Sequence, residues 1–148
     1  MGTRSRIGIM HGDVVKSVYC HWDGYYDHNG QILLDNFDSS KANQLVALGD
    51  ISSLRSQIEI PQDVEHSFDK ANDNITLFYG RDRGEENASW KVAHSFIEFL
   101  GQVEACGGEY YYIMKDGAWY AGAMYSVDGR EAMQLAPLDE LVKVTEVA

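Results

Sequence analysis

Apolar and polar positions alternate over residues 3–10, with Ile7 and Ile9 on one side, and this predicts a half-buried strand. His11-Gly12-Asp13 supplies turn chemistry, after which Val14 to Trp22 resumes with β-branched and aromatic residues. Two such runs around a short glycine-containing loop predict an antiparallel hairpin. The period then lengthens. Ile32, Leu33, Leu34 and Phe37 form the apolar side of a helix starting near Gly30, with Asp27 or Asn29 placed to cap it. A second helix is expected after Ser39 or Ser40, burying Ala42, Leu45, Val46 and Leu48 and stopping at Gly49. Ile51 to Leu54 reads as one further helical turn.

Residues 55–74 lose periodicity, carry Pro61 and scattered acids, and read as an irregular, mobile excursion. Asn74 to Gly80 returns to strand composition, followed by a charged turn at Arg81-Asp82-Arg83-Gly84-Glu85. Ser95 with Glu98 forms a capping box for a helix whose Phe96, Phe99, Leu100 and Val103 share a face. Glu109 to Lys115 and Ala118 to Tyr125 flank Asp116-Gly117, a two-residue hairpin signal. Glu131 to Leu135 reads as another strand, and Pro137 opens a terminal helix that turns Leu138, Leu141 and Val142 inward. Strand runs and helix runs in clusters predict an α+β fold. The expectation is a single domain over residues 1–148 with a mainly antiparallel sheet of about five or six strands and helices packed on one face.

Composition narrows the class. At 148 residues, 45% hydrophobic and 11% aromatic, the chain can bury a globular core. No apolar run is long enough to cross a bilayer, and Ile7 to Met10 is too short for the apolar part of a signal peptide. The expected location is therefore cytoplasmic. Cys20 and Cys106 form no metal-type pair and read as buried free thiols. A net charge of −11 argues against direct nucleic-acid binding. The charge is uneven: Arg4, Arg6 and Lys16 face Asp13 alone in the first sixteen residues, whereas acids crowd residues 59–87. That acidic run raises a minor reading, a surface that imitates nucleic acid or binds a basic partner.

The densest chemistry lies at Cys20-His21-Trp22-Asp23-Gly24-Tyr25-Tyr26-Asp27-His28-Asn29-Gly30. His21, Asp23 and His28 have the donor types of a divalent-metal site, although no established ligand spacing matches. The same three residues would serve a hydrolase or phosphoesterase, with Arg81 and Arg83 clamping an anion, provided the two stretches meet in space. Recognition without turnover asks less: Trp22, Tyr25 and Tyr26 offer rigid amphipathic area, with Asp23, His28 and Asn29 as polar neighbours. The glycines form no phosphate loop or dinucleotide pattern, so no cofactor is expected.

Met1-Gly2-Thr3-Arg4-Ser5, Tyr19-Cys20-His21-Trp22-Asp23-Gly24-Tyr25 with His28-Asn29-Gly30, Leu48-Gly49-Asp50-Ile51-Ser52-Ser53-Leu54, and Tyr79-Gly80-Arg81-Asp82-Arg83-Gly84-Glu85 carry a resemblance. The chain resembles a family of small proteins of tailed bacteriophages, including relatives of the T-even phages. The likeness runs to about residue 85 and continues loosely through Glu109 to Tyr120. Tyr26-Asp27 stands where relatives have a proline and an acid. The family has no established activity, so the resemblance implies an accessory protein of the infected bacterial cytoplasm and brings no catalytic residues. The resulting expectation is a protein that binds a host protein or a small anionic ligand through the 20–30 loop and the 81–85 turn, without a membrane.

Overall fold

Two antiparallel hairpins meet along a parallel seam, and the rest of the chain is built outward from that seam. In the computed structural model, which describes residues 2–127 and 129–147, the first hairpin pairs β1 (Ser5–His11) with β2 (Val14–Cys20). Its loop has Gly12 at φ +61°, as a two-residue hairpin with glycine in the first central position requires. The second hairpin pairs two later strands, β6 (Tyr110–Lys115) and β7 (Ala118–Ala123), across Asp116 and Gly117 at φ 52° and 79°. Positive φ at both residues is the twist-matched turn that Asp-Gly favours.

Between the hairpins, a single π-type turn (Tyr26–Gly30) runs into α1 (Gln31–Asn36) and then α2 (Ser39–Ala47). Neither Asp27 nor Asn29 caps this segment; both lie inside the turn. The cap of α2 is Asp38, one residue before the expected serines, with Oδ1 accepting from the Lys41 amide at 2.8 Å. Strand β3 (Ile51–Ser53) replaces the expected helical turn, because its backbone meets the open edge of β2: His21 N–H donates to the Ile51 carbonyl at 3.0 Å. Two residues, Leu77–Phe78, form β4, and the following "charged turn" is a short helix, α3 (Tyr79–Arg83), ended by Gly84 at φ +75°. Next come β5 (Lys91–Ala93) and α4 (Phe96–Ala105), whose Ser95 hydroxyl accepts from the Glu98 amide as the capping box predicted. The expected strand at 131–135 falls instead at β8 (Ala136–Pro137), directly before α5 (Leu138–Val147).

Among the described residues the sheet has eight strands in the order β4-β3-β2-β1-β6-β7-β8, with β5 beside β3 on the outer edge of β2. The α+β class holds. The sheet is mixed, however: β1–β6 and β2–β3 are parallel and the other pairings antiparallel.

Helices also cover both faces, where the sequence pattern suggested one. Tyr110, Tyr112 and Met114 of β6 join Ile7, Ile9, Val18 and Cys20 in a core closed by α1, α2 and α5. The alternate residues Tyr111 and Ile113 point the other way, into a smaller core with Val15, Ala93, and Phe99 and Val103 of α4. A strand buried on both faces needs an unbroken apolar run, and Tyr110-Tyr111-Tyr112-Ile113-Met114 is one. That run was the available sign of a two-sided sheet.

Candidate binding site

At Cys20 the alternation of β2 divides the prominent aromatic stretch. Cys20 points into the large core, where burial pushes its thiol up to about 12 and keeps it unreactive. Tyr19 and His21 project on the opposite face with α4. Burial likewise raises the Tyr19 phenol to about 12, so it stays protonated, and its hydroxyl is hydrogen-bonded with His21 Nδ1. Burial and the nearby Arg4 lower the pKa of His21, which favours the neutral ring.

Asp23, in the left-handed region at φ 57°, then swings the chain over the end of the sheet onto the first face. The Gly24 N–H donates to the Thr3 carbonyl at 2.8 Å, and a side chain at this position would strike that backbone. Tyr112, fully buried, donates its hydroxyl to the Gly24 carbonyl. Asn29 is 0% exposed; its Nδ2 donates to the Trp22 carbonyl at 3.1 Å and to Cys20 Sγ at 3.4 Å. Its own amide donates to the Asp23 carbonyl at 3.2 Å. Asn29 therefore staples both ends of the loop together. Tyr26 is buried too, edge-on to Tyr110 at 4.9 Å and to Tyr112 at 6.4 Å. These two residues, expected at a binding surface, support it from inside.

The outward residues are Trp22, 40% exposed, and Tyr25, 36% exposed. Trp22 packs edge-on to the His21 ring at 4.6 Å. The Tyr25 hydroxyl donates to Asp23 Oδ1 at 3.3 Å, and His28 Nε2 lies 3.8 Å from Asp23 Oδ2. Asp23, Tyr25 and His28 thus form one surface cluster, while His21 belongs to the other face. Among the described residues no three His, Cys, Asp or Glu side chains are grouped to hold a metal ion. The set His21, Asp23 and His28 proposed for hydrolysis is split by strand alternation.

The 81–85 segment also behaves differently from its sequence. Arg81 Nε donates to Asp82 Oδ1 at 2.8 Å, Nη2 donates to the Thr76 carbonyl at 3.0 Å, and Nη1 donates to the Ile58 carbonyl. Asp82, with a side chain 1% exposed, also accepts from the Phe78 amide at 2.8 Å. Buried His66 completes the cluster: Nδ1 accepts from the Asn72 amide at 3.0 Å, so the proton sits on Nε2, facing the Thr76 carbonyl at 3.2 Å and Asp82 at 3.5 Å. This network fastens the 55–76 excursion to the sheet. Arg81 is consequently a fastening rather than an anion clamp. Arg83 remains on the surface, 3.9 Å from Glu85 and over the Phe68 ring.

A second feature escaped the motif reading. Arg6, an inward position of β1, is 2% exposed and donates from Nε to Ser17 Oγ at 2.9 Å and from Nη2 to the Ser17 carbonyl at 3.0 Å. Among the described residues it has no ion pair within 4.0 Å. It lies at a cleft of about 370 Å³ with Arg4, Tyr19, Asp50, Lys91 and Gln102. Asp50 uses Oδ1 to accept from the Tyr19 amide at 2.9 Å, and burial raises its pKa. The excess of arginine over acid in the first residues was the signal for this cleft.

No protein-family model, curated protein or solved structure matches this chain.

Proposed function

We propose that the chain is an accessory protein of a tailed bacteriophage that acts by binding a host protein in the bacterial cytoplasm. The contact is made by the loop ending β2, with Trp22 and Tyr25 as anchors and Asp23, Asp27 and His28 as the polar rim. The observation that carries this reading is the contrast within the loop: Asn29 and Tyr26 are buried and fix its backbone, while Trp22 and Tyr25 stay outside. Rigid, exposed aromatic side chains lose little freedom on docking, and tryptophan and tyrosine are enriched among residues that dominate binding energy. Asp23 and Asp27 beside them suit a partner with an apolar pocket rimmed by basic residues.

The test is capture of a host protein by the tagged chain, followed by calorimetry with that protein purified. Trp22→Ala is expected to weaken binding by about 2 kcal/mol or more while the thermal midpoint stays unchanged. Equal affinity for wild type and a folded Trp22→Ala, Tyr25→Ala double variant would remove the loop from the interface.

A further inference from the structure

Arg6 poses a question that the fold alone does not answer. A buried guanidinium is ordinarily matched by a carboxylate, because its desolvation is otherwise uncompensated. Here the neutral Ser17 takes two of its donors, and Asp50, although close enough to feel its charge, forms no ion pair with it. Arg4 and Lys91 share the same cleft, so three cations gather there in a chain whose net charge is −11. Pairing of β5 with β2 sets Lys91 opposite Ser17, on the side of the sheet that carries Arg6. The carbonyl end of α4 favours a cation such as Arg4 on its own account, but explains neither Arg6 nor Lys91. Gly107, at φ +73°, leaves room for the Arg4 guanidinium, whose Nη1 would lie 3.0 Å from any Cβ there. Beside the cations, Gln102 spends Nε2 on the Val92 carbonyl at 3.1 Å, and its Oε1 is buried without a partner.

We propose that this cleft binds a small phosphate ester bearing a hydroxyl group. Arg4, Arg6 and Lys91 take the phosphate, and Gln102 Oε1 accepts from the hydroxyl. Guanidinium groups match phosphate oxygens with paired donors, and lysine adds a mobile point charge. Asp50, the carboxylate of the cleft, is held back by the Tyr19 amide. A larger cleft of about 460 Å³ beside α2 lacks this character: its cation, Lys41, is already bonded to the Ser56 carbonyl and seated over Phe37. The proposal extends the binding reading to a second site and does not depend on the aromatic loop.

Calorimetry with glycerol phosphate, inorganic phosphate and glycerol tests it on the full chain. Glycerol phosphate should bind more tightly than inorganic phosphate, and glycerol should not bind. Lys91→Gln and Arg4→Gln, both at exposed positions, should each weaken glycerol phosphate binding about tenfold without changing the thermal midpoint. Arg6→Met should abolish binding without lowering the midpoint, an outcome opposite to that of a purely structural arginine. Trp22→Ala should bind glycerol phosphate as wild type does, so failure here leaves the loop untouched, and the converse also holds. Absence of binding at millimolar glycerol phosphate would overturn the proposal, as would unchanged affinity in the Arg4→Gln, Lys91→Gln double variant. Equal affinity for the ester and inorganic phosphate would remove the role assigned to Gln102.

Discussion

Two arginines sunk into this protein have opposite surroundings. Arg81 donates to Asp82 and to two backbone carbonyls, and its carboxylate partner is itself held by the Phe78 amide. Arg6 is more deeply buried and, among the described residues, donates to Ser17 alone. One guanidinium acts as a fastening because its charge and donors are matched within the fold. The other holds a charge that, among the described residues, no carboxylate meets within 4.0 Å. The difference follows from where each lies. Arg81 sits where a long irregular segment has carbonyl groups without ladder partners, whereas Arg6 lies beneath a sheet face that a single helix covers incompletely.

The comparison breaks most sharply at the matched arginine. Arg81→Ala takes the guanidinium away from buried Asp82, leaving it the Phe78 amide, and removes the donor to the Ile58 carbonyl; it should cost about 3 kcal/mol in urea unfolding. Removing His66 from the same network strands the Asn72 amide, and His66→Ala should cost about 1–3 kcal/mol by the same measurement. Arg6→Met should move the other way, leaving stability unchanged or raising it by about 1 kcal/mol, because an uncompensated charge is replaced by an apolar side chain.

Asp50 refines the contrast through pH. Burial raises its folded-state pKa above the ordinary aspartate value of 3.8, so its contribution to stability is fully present below that value and is lost as pH rises through the folded pKa. Asp50→Asn keeps an acceptor for the Tyr19 amide. Its stability relative to wild type should therefore improve as pH rises above about 4, and unfolding curves at acid and neutral pH should show no gain at the acid end. The smallest effect belongs to Arg83→Ala, within about 0.5 kcal/mol, since an exposed pair with Glu85 contributes little.

Much of the local structure could be read directly. The hairpin around Gly12, the Asp116-Gly117 turn and the Ser95 capping box depend on residues a few positions apart, so their chemistry is contained in the order of the chain. Ile51 to Ser53 could not be placed that way, because its strand conformation comes from the edge of β2, some thirty residues earlier. The site shows the same division. Trp22 and Tyr25 stood out by type, but the inward turn of Tyr26 and Asn29 depends on Tyr110, Tyr112 and Cys20.

Sequence alone determined the α+β class, the two hairpins, the net acidity and the stretch richest in recognition chemistry, because periodicity, turn residues and charge are properties of neighbours along the chain. Tertiary structure decided that helices cover both faces, that His21 parts from Asp23 and His28, and that Arg81 is satisfied while Arg6 is not. Each of those outcomes turns on which distant backbone or carboxylate comes within hydrogen-bonding reach, and burial and pairing energies are set there rather than by residue type.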